Sequence, residues 1–327
     1  MRPKAIRRGT RSVQVTIATT VLAVPASAVA LTTAAAPQTA ADAPTPLKID
    51  VEPQTVAFGA DVTVSGAAPV ADQGATLLLE TAPARGAGWH SLTSTRVGRS
   101  GRFALRAPLR SSGLLKVIDA DSAPGAHAAA AITIAGAATV PASTPQPVSV
   151  AAQLRFASRS FDVLTGHRMD LRGRMLPFAP GRRVRLQGRS GHAWRTLTTT
   201  RTGGHGGFDL HYRPAIAGQR SLRVLFSGDR GNARASRPAG QLSVYDETVA
   251  SWYDDAGNTA CGFHANFGVA NRDLPCGTRV GFRYGGHSVT AVVDDRGPYV
   301  GGRDWDLNQN TAAALGFAGV GTVWSTS

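Results

Sequence analysis

The chain has 327 residues, too many for one small domain and suited to two or three. Its 37 glycines and 19 prolines favour β-structure with many turns and argue against long helices. The net charge of +14 is uneven: +4 over 1–45, +1 over 46–149, +12 over 150–246 (17 basic, 5 acidic) and −3 over 247–327.

Residues 1–30 have the make-up of an export signal peptide. Arg2, Lys4, Arg7, Arg8 and Arg11 form a basic start, Val13 to Leu22 is mostly apolar, and Ala26-Ser27-Ala28 is a small-residue cleavage site. The apolar run is too short and too rich in threonine to anchor the chain in a bilayer. Cleavage is expected near Ala28 or Ala30, giving a secreted or cell-wall-associated protein with no stable membrane span after processing. Nothing further along resembles a membrane span.

Outside the cell the available polyanions are wall polymers and anionic membrane surfaces, not nucleic acid. The arginine-rich segment 150–246 faces such a partner or is simply a soluble basic surface. Cys261 and Cys276, the only cysteines, enter an oxidising space, and a disulfide between them is the simplest reading. The competing reading is a catalytic thiol activated by His264.

Residues 31–46, rich in Ala, Thr and Pro, read as a disordered linker, and 136–149 reads as a second one. The segments they delimit, 47–135 and 150–246, repeat each other at a period of about 107 residues. V-T-V-S-G (62–66), G-A-T-L-L-L-E (74–80), W-H-S-L-T-S-T (89–95) and G-R-F-A-L (101–105) recur in order. Their counterparts are M-D-L-R-G (169–173), G-R-R-V-R-L-Q (181–187), W-R-T-L-T-T-T (194–200) and G-G-F-D-L (206–210). Leu77 with Leu79, and Val184 with Leu186, alternate as half-buried strands require. Short strands at this spacing predict β-sandwiches and resemble tandem bacterial immunoglobulin-like domains. Trp89 and Trp194 hold equivalent places and read as packing residues, with sugar stacking as the alternative. His167, His192, His205 and His211 show no metal-like pairing. No catalytic constellation is apparent in either repeat.

Residues 247–327 carry A-S-W-Y (250–253), T-A-C-G (259–262) and V-A-N-R-D-L-P-C-G-T-R-V (269–280). Then come V-T-A-V-V-D-D-R-G-P-Y-V-G-G-R-D-W-D-L (289–307) and T-A-A-A-L-G-F (311–317). Arg279–Tyr284 and Ser288–Val293 alternate like two strands around a Gly285-Gly286 turn. Asp295 follows the second strand beside the Gly297-Pro298 bend, and Asp294 should point to the opposite side. Asn308 is placed to cap a helix over Gln309–Leu315. The whole chain is thus expected to be all-β.

The order of these strings resembles the rare-lipoprotein-A double-psi β-barrel, a six-stranded fold shared with expansin N-terminal domains and MltA-type lytic transglycosylases. The resemblance implies peptidoglycan, or another wall glycan, as partner. It also implies lytic cleavage, in which one carboxylic acid protonates the glycosidic oxygen and then serves as base. Asp295 matches the family's essential Asp, and Asp306 is a second candidate. Burial or a nearby carboxylate such as Asp294 or Asp306 helps an acid hold its proton, and Arg296 opposes it. Tyr253, Asn271, Arg296, Tyr299 and Arg303 are expected along the substrate groove, with Asp304, Trp252 and Trp305 as further candidates.

Two family positions differ: Phe263 stands where a Glu is expected and Asn271 where a His is expected, with a shortened loop between. Asp254, Asp255 and His264 lie near enough in sequence to substitute, and a Cys261–Cys276 bridge would brace the shortened loop. Asp295 could also contact ligand without turnover, or serve only as structure. An expansin-like binding module without catalysis is the alternative function. No nucleotide, haem or metal signature is present, so no cofactor is expected.

Overall fold

The computed structural model describes residues 45–85, 88–120, 141–254 and 257–327. The expected signal peptide and almost all of the first linker lie outside them, as does the start of the second linker.

The first sandwich pairs two sheets. One orders β1 (Ile49–Glu52), β3 (Asp61–Ala67) and β6 (Arg102–Pro108) side by side. The other runs β2 (Thr55–Ala57), β8 (Gln146–Ala151), β7 (Gly113–Asp119), β4 (Thr76–Ala82) and β5 (His90–Arg96). The first strand of the larger sheet is parallel to the last: Thr55 pairs with Ser149 and Ala57 with Ala151.

The second sandwich repeats this plan strand for strand. Its small sheet is β9 (Gln153–Arg155), β11 (Met169–Leu176) and β14 (Gly207–Tyr212). Its large sheet is β10 (Phe161–Leu164), β16 (Ala235–Tyr253), β15 (Gly218–Phe226), β12 (Arg183–Ser190) and β13 (Ala193–Arg201), with β10 parallel to β16. Both units are immunoglobulin-like sandwiches by topology. Strict alternation builds each core: in β6, Phe103, Leu105 and Ala107 point inward between exposed neighbours.

The repeat extends to single contacts. Gly66 lies under Phe103, and an added Cβ would stand 2.6 Å from both that ring and the Lys48 carbonyl. Gly173 lies under Phe208 in the same way, 2.8 Å from the Arg155 carbonyl. Lys116 Nζ sits 4.3 Å from the Trp89 ring centre, and the Arg223 guanidinium 4.3 Å from that of Trp194. Both tryptophans are therefore capped by a cation of their own domain, which fits packing residues rather than sugar platforms.

The boundaries differ from the expected ones. Strand β8 starts inside the segment read as a linker, and Val148 and Val150 are core residues of the first sandwich. The proline and glutamine before them mask the alternation. One residue separates β8 from β9, and the sandwiches bond directly: Ala233 N donates to Val150 O (2.7 Å) and Asn232 Nδ2 to Arg110 O (3.2 Å). Asn232 in turn accepts from Arg182 Nη2 (3.0 Å), whose Nε donates to Asp229 Oδ2 (2.8 Å).

Burial raises the Asp229 carboxyl. The Asn232 backbone N–H, then the Arg182 guanidinium, outweigh it and hold the carboxyl below its ordinary value. A carboxyl depressed in the folded state stabilises above its unfolded value, near pH 4, and loses that contribution as pH falls through the lower folded value. Urea midpoints should therefore drop below about pH 4, and Asp229→Asn should flatten part of that drop.

No linker precedes the barrel either. The first half of β16 pairs with β15, and its second half pairs with β21 (Gly321–Ser325) and β20 (Trp305–Asn308). From β16 the strands continue through β20, β17 (Gly268–Ala270), β19 (His287–Asp295), β18 (Arg279–Tyr284) and β21, which returns to β16. This closes a six-stranded barrel with two parallel pairs, β16–β20 and β17–β19.

Phe282 and Trp305 meet edge to face at 5.0 Å in its core. Both glycines of the β18–β19 turn have positive φ (57° and 90°), the hairpin geometry their pairing predicts. Asn308 caps α1 (Gln309–Leu315), accepting from Thr311 N at 2.9 Å. Arg283 on β18 bonds Asp162 of the second sandwich at 2.8 Å. Among the described residues no helix is long and apolar enough to cross a membrane.

Candidate functional site

Strand β19 ends in two aspartates at an irregularity of its ladder: Val293 pairs with Val269 and Asp295 with Ala270, so Asp294 is left out of the β17 pairing and the two side chains meet different neighbours. Asp294 is fully buried. Its Oδ2 accepts from Ala265 N (2.8 Å), its Oδ1 from Val269 N (3.1 Å), and its carbonyl from Cys261 N (3.1 Å). Its carboxylate fills the space a Cβ on Gly268 would need. Asp294 thus fastens the 261–269 loop to the barrel.

Asp295 is half-exposed. Its Oδ1 accepts from Ala260 N and Arg296 N, both at 2.8 Å. Oδ2 has no partner among the described residues. One oxygen fixes the carboxyl group and the other is open to a ligand.

Register places a second carboxylate on the same face. Asp295 pairs with Ala270 of β17, Ala270 with Asp306 of β20, and Asp306 with Ser251 of β16. Two strand spacings separate Asp295 from Asp306, roughly 10 Å at the backbone, with only the small Ala270 between them. Ser251 Oγ donates to Asp306 Oδ1 at 2.7 Å, which orients it.

Two residues expected to touch substrate brace the site instead. Arg296 turns away from Asp295: Nη1 donates to Asn271 O (3.0 Å) and Leu274 O (2.9 Å), and Nη2 to Cys276 Sγ (3.0 Å). Asn271 Oδ1 accepts from Asp273 N (3.0 Å) and Leu274 N (2.8 Å), and its Nδ2 donates to Asp304 O (3.3 Å). Its side chain shapes a turn in the place where the family resemblance leads one to expect a His. Asp304 Oδ2 accepts from Val249 N at 2.9 Å, tying its loop to β16.

Tyr299 is 83% exposed, just beyond Asp295 in the chain. Tyr253 and Arg303 are half-buried, and Asp254 and His264 are exposed. Asp255 lies outside the described residues. Trp305 belongs to the core, so it drops out as a groove aromatic. Trp252, Phe263 and Phe267 are instead exposed. The last two flank the loop that donates to Asp295. Sequence reading noted Phe263 only as a missing Glu and overlooked Phe267. The available signal was an aromatic side chain in a loop with no strand alternation to bury it.

Cys261 and Cys276 are bridged, with Cα atoms 5.7 Å apart. The bond joins the loop bearing Ala260 to the loop bearing Asn271. Cys261→Ser with Cys276→Ser should cost about 3 kcal/mol, the chain-entropy value for a loop of this size. Calorimetric melting of the full chain checks it.

In the second sandwich Asp170, Asp209 and His211 offer ligand atoms within 4.8 Å of one another, a grouping not apparent in the sequence. Arg168 and Arg172 already pair with the two aspartates. The Arg168 hydrogen bond, then that of His211, hold the Asp170 carboxyl below its ordinary value. Internal ion pairing accounts for the cluster.

Residues 246–324 match the family model described as lytic transglycolase. Over 85 residues the chain is 42% identical to a Synechocystis sp. protein titled "Probable endolytic peptidoglycan transglycosylase RlpA", which covers 23% of this chain and 26% of that protein. The chain thus spans about a quarter of the length of the curated relative it matches. Two solved structures align with low scores. The D0-D1 domain of intimin covers 60% of this chain and 97% of its own, at 10% identity and a TM-score of 0.23. Titin domain M3 covers 28% and 95%, at 16% identity and a TM-score of 0.21.

Proposed function

We propose, from the premise that the C-terminal domain is a rare-lipoprotein-A-like double-psi β-barrel, that the chain cleaves peptidoglycan glycan strands by lytic transglycosylation. The observation that carries this reading is the Asp295 carboxyl group, half-exposed at a strand end with Oδ1 anchored and Oδ2 open. Protonated Asp295 gives its proton to the glycosidic oxygen as the C1–O bond breaks. The sugar's own 6-hydroxyl then closes on C1 to form an anhydro ring, and its proton returns to Asp295. Atoms balance without water or a cofactor, and one carboxyl group serves as acid and then base. Asp306, whose Oδ1 accepts from Ser251, stabilises positive charge at the sugar ring in this scheme. Tyr299, Trp252 and Phe263 offer open faces for sugar stacking.

A second reading is a wall-binding barrel that does not cut. The exposed ring of Phe263 and the turn-forming Asn271 favour it, because each takes the place of an ionisable group. The test is mass spectrometry of sacculi, intact and amidase-stripped, after incubation with the full chain. Anhydro-muropeptides support cleavage. Binding without product supports the second reading.

Either reading places the protein outside the cell, exported by residues 1–30 and held at the wall. The second sandwich supports this with its surplus of cations. Of the 17 arginines in 150–246, Arg168, Arg172 and Arg182 are ion-paired, and the other fourteen have no carboxylate partner among the described residues. Retention on walls bearing anionic polymers should therefore fall as salt rises. Co-sedimentation across a salt series measures it, and salt-independent retention would rule this partner out.

A further inference from the structure

The charges of the second sandwich sort by face. On the small sheet, Asp170 of β11 and Asp209 of β14 alternate with the core residues Leu171 and Leu210 and so face outward, where Arg168 and Arg172 pair with them. The large sheet is different. Val184 and Leu186 of β12 point into the core, which sends Arg183 and Arg185 outward. Register extends that outer face to both neighbours: Arg183 stands opposite Arg201 of β13, and Gln187 opposite Arg223 of β15. Arg223 alternates with the core residues Leu222 and Val224, as a residue of the outer face must.

Among the described residues these four arginines meet only neutral groups. Arg185 Nη1 donates to Ser227 Oγ (3.0 Å), Arg201 Nη1 to Gly181 O (2.6 Å) and Arg223 Nε to Gln187 Oε1 (2.9 Å), with the Arg223 guanidinium over the Trp194 ring. Arg183 is exposed and has no hydrogen bond or ion pair among those residues. Arg183 and Arg201 are like charges directly opposite each other, a destabilising arrangement that an anion between them would relieve. The acids nearest this sheet are already taken. Asp229 borders the patch from the turn after β15, held by Arg182 and by the backbone N–H groups of Gly231 and Asn232. Asp162, on the far edge strand β10, pairs with Arg283 of the barrel.

We propose that this outer face, centred on Arg183, Arg185 and Arg201, docks a linear phosphodiester polymer of the wall. Side chains on it repeat about 5 Å apart across strands and about 7 Å apart along one. An open row of cations at that pitch, with N–H donors to spare, suits a chain that carries a charge in every unit. A tetrahedral phosphate directs its two charged oxygens apart, so one group can bridge Arg183 and Arg201. A planar carboxylate turns both oxygens toward a single guanidinium fork. The proposal rests on the reading that the second sandwich holds anionic wall polymers and adds the face and the anion. It does not depend on glycan cleavage, so its test uses binding alone.

The full chain is titrated onto immobilised poly(glycerol phosphate), with poly-γ-glutamate as the carboxylate comparison. Wild type should hold the phosphodiester more tightly. Arg183→Gln with Arg201→Gln should weaken that binding by at least about tenfold. The control is Arg155→Gln with Arg174→Gln, a pair that also stands opposite across two strands but lies on the small sheet, the face that carries Asp170 and Asp209. It removes the same charge and should weaken binding by less than about threefold. If the first pair fails to fold, Arg183→Gln alone, which ends the opposition of like charges, should still lose about threefold or more. Equal losses from the two faces, or none from either, would overturn the docking face and leave wall retention to net charge. Equal affinity of wild type for the two polymers would overturn the choice of phosphodiester. No binding of wild type to poly(glycerol phosphate) would overturn this proposal together with the wall-polymer reading beneath it.

Discussion

Asp295→Asn is expected to cut anhydro-muropeptide release at least about a hundredfold, the low end for removal of a general acid, while binding to sacculi and melting temperature stay unchanged. The substitution is close to neutral for the fold because, among the described residues, only Oδ1 of Asp295 is used internally, accepting from Ala260 N and Arg296 N. An asparagine Oδ1 can accept both bonds, leaving its amide nitrogen where the open Oδ2 stood. What disappears is the exchangeable proton. The measurement is mass spectrometry of sacculi digests from wild type and variant, with co-sedimentation as the binding control. Equal product from both proteins would remove Asp295 as the acid and leave Asp306→Asn as the next variant to assay. Product from neither, on sacculi that both bind, would establish the binding-module reading.

How much of this could be read from the chain depends on how local each cause is. The sandwiches were legible because alternation and turn glycines are local, and the repeat doubled the signal. Leu77 and Leu79 point inward as their spacing requires, and so do Val184 and Leu186. The Asn308 cap and the Gly285-Gly286 turn were legible for the same reason. Domain edges were not. Pro147 hid the start of β8, and nothing between Tyr245 and Glu247 marks the point where one strand passes from sandwich to barrel. Residue roles were least legible. Arg296 looked like a groove cation, yet its partners are carbonyls and a sulfur in the 271–276 loop, fixed by tertiary contacts that no spacing rule reports. Asn271 formed a turn for the same reason.

Asp294→Ala is expected to be far more damaging than any substitution at its neighbour, with a loss of about 3–5 kcal/mol. Asp294 is fully buried, and its two oxygens satisfy two backbone N–H groups, Ala265 N and Val269 N. Alanine leaves both donors without their acceptor, at about 1–3 kcal/mol each, and opens a void where the carboxylate stood. A domain of this size has a total stability of roughly 4–12 kcal/mol, so the loss is a large part of it. Asp294→Asn should fall between alanine and wild type, because an amide keeps one acceptor and places a donor against the other N–H. Gly268→Ala should also destabilise, since its methyl would enter the space of the same carboxylate. Calorimetry of the full chain reads all three, and circular dichroism near 280 nm, to which three of the five tryptophans contribute from the barrel, gives a second readout. A melting temperature for Asp294→Ala equal to that of Asp295→Asn would mean that the 261–269 loop does not depend on this carboxylate. The division of labour between the two adjacent aspartates, one structural and one chemical, would then fail.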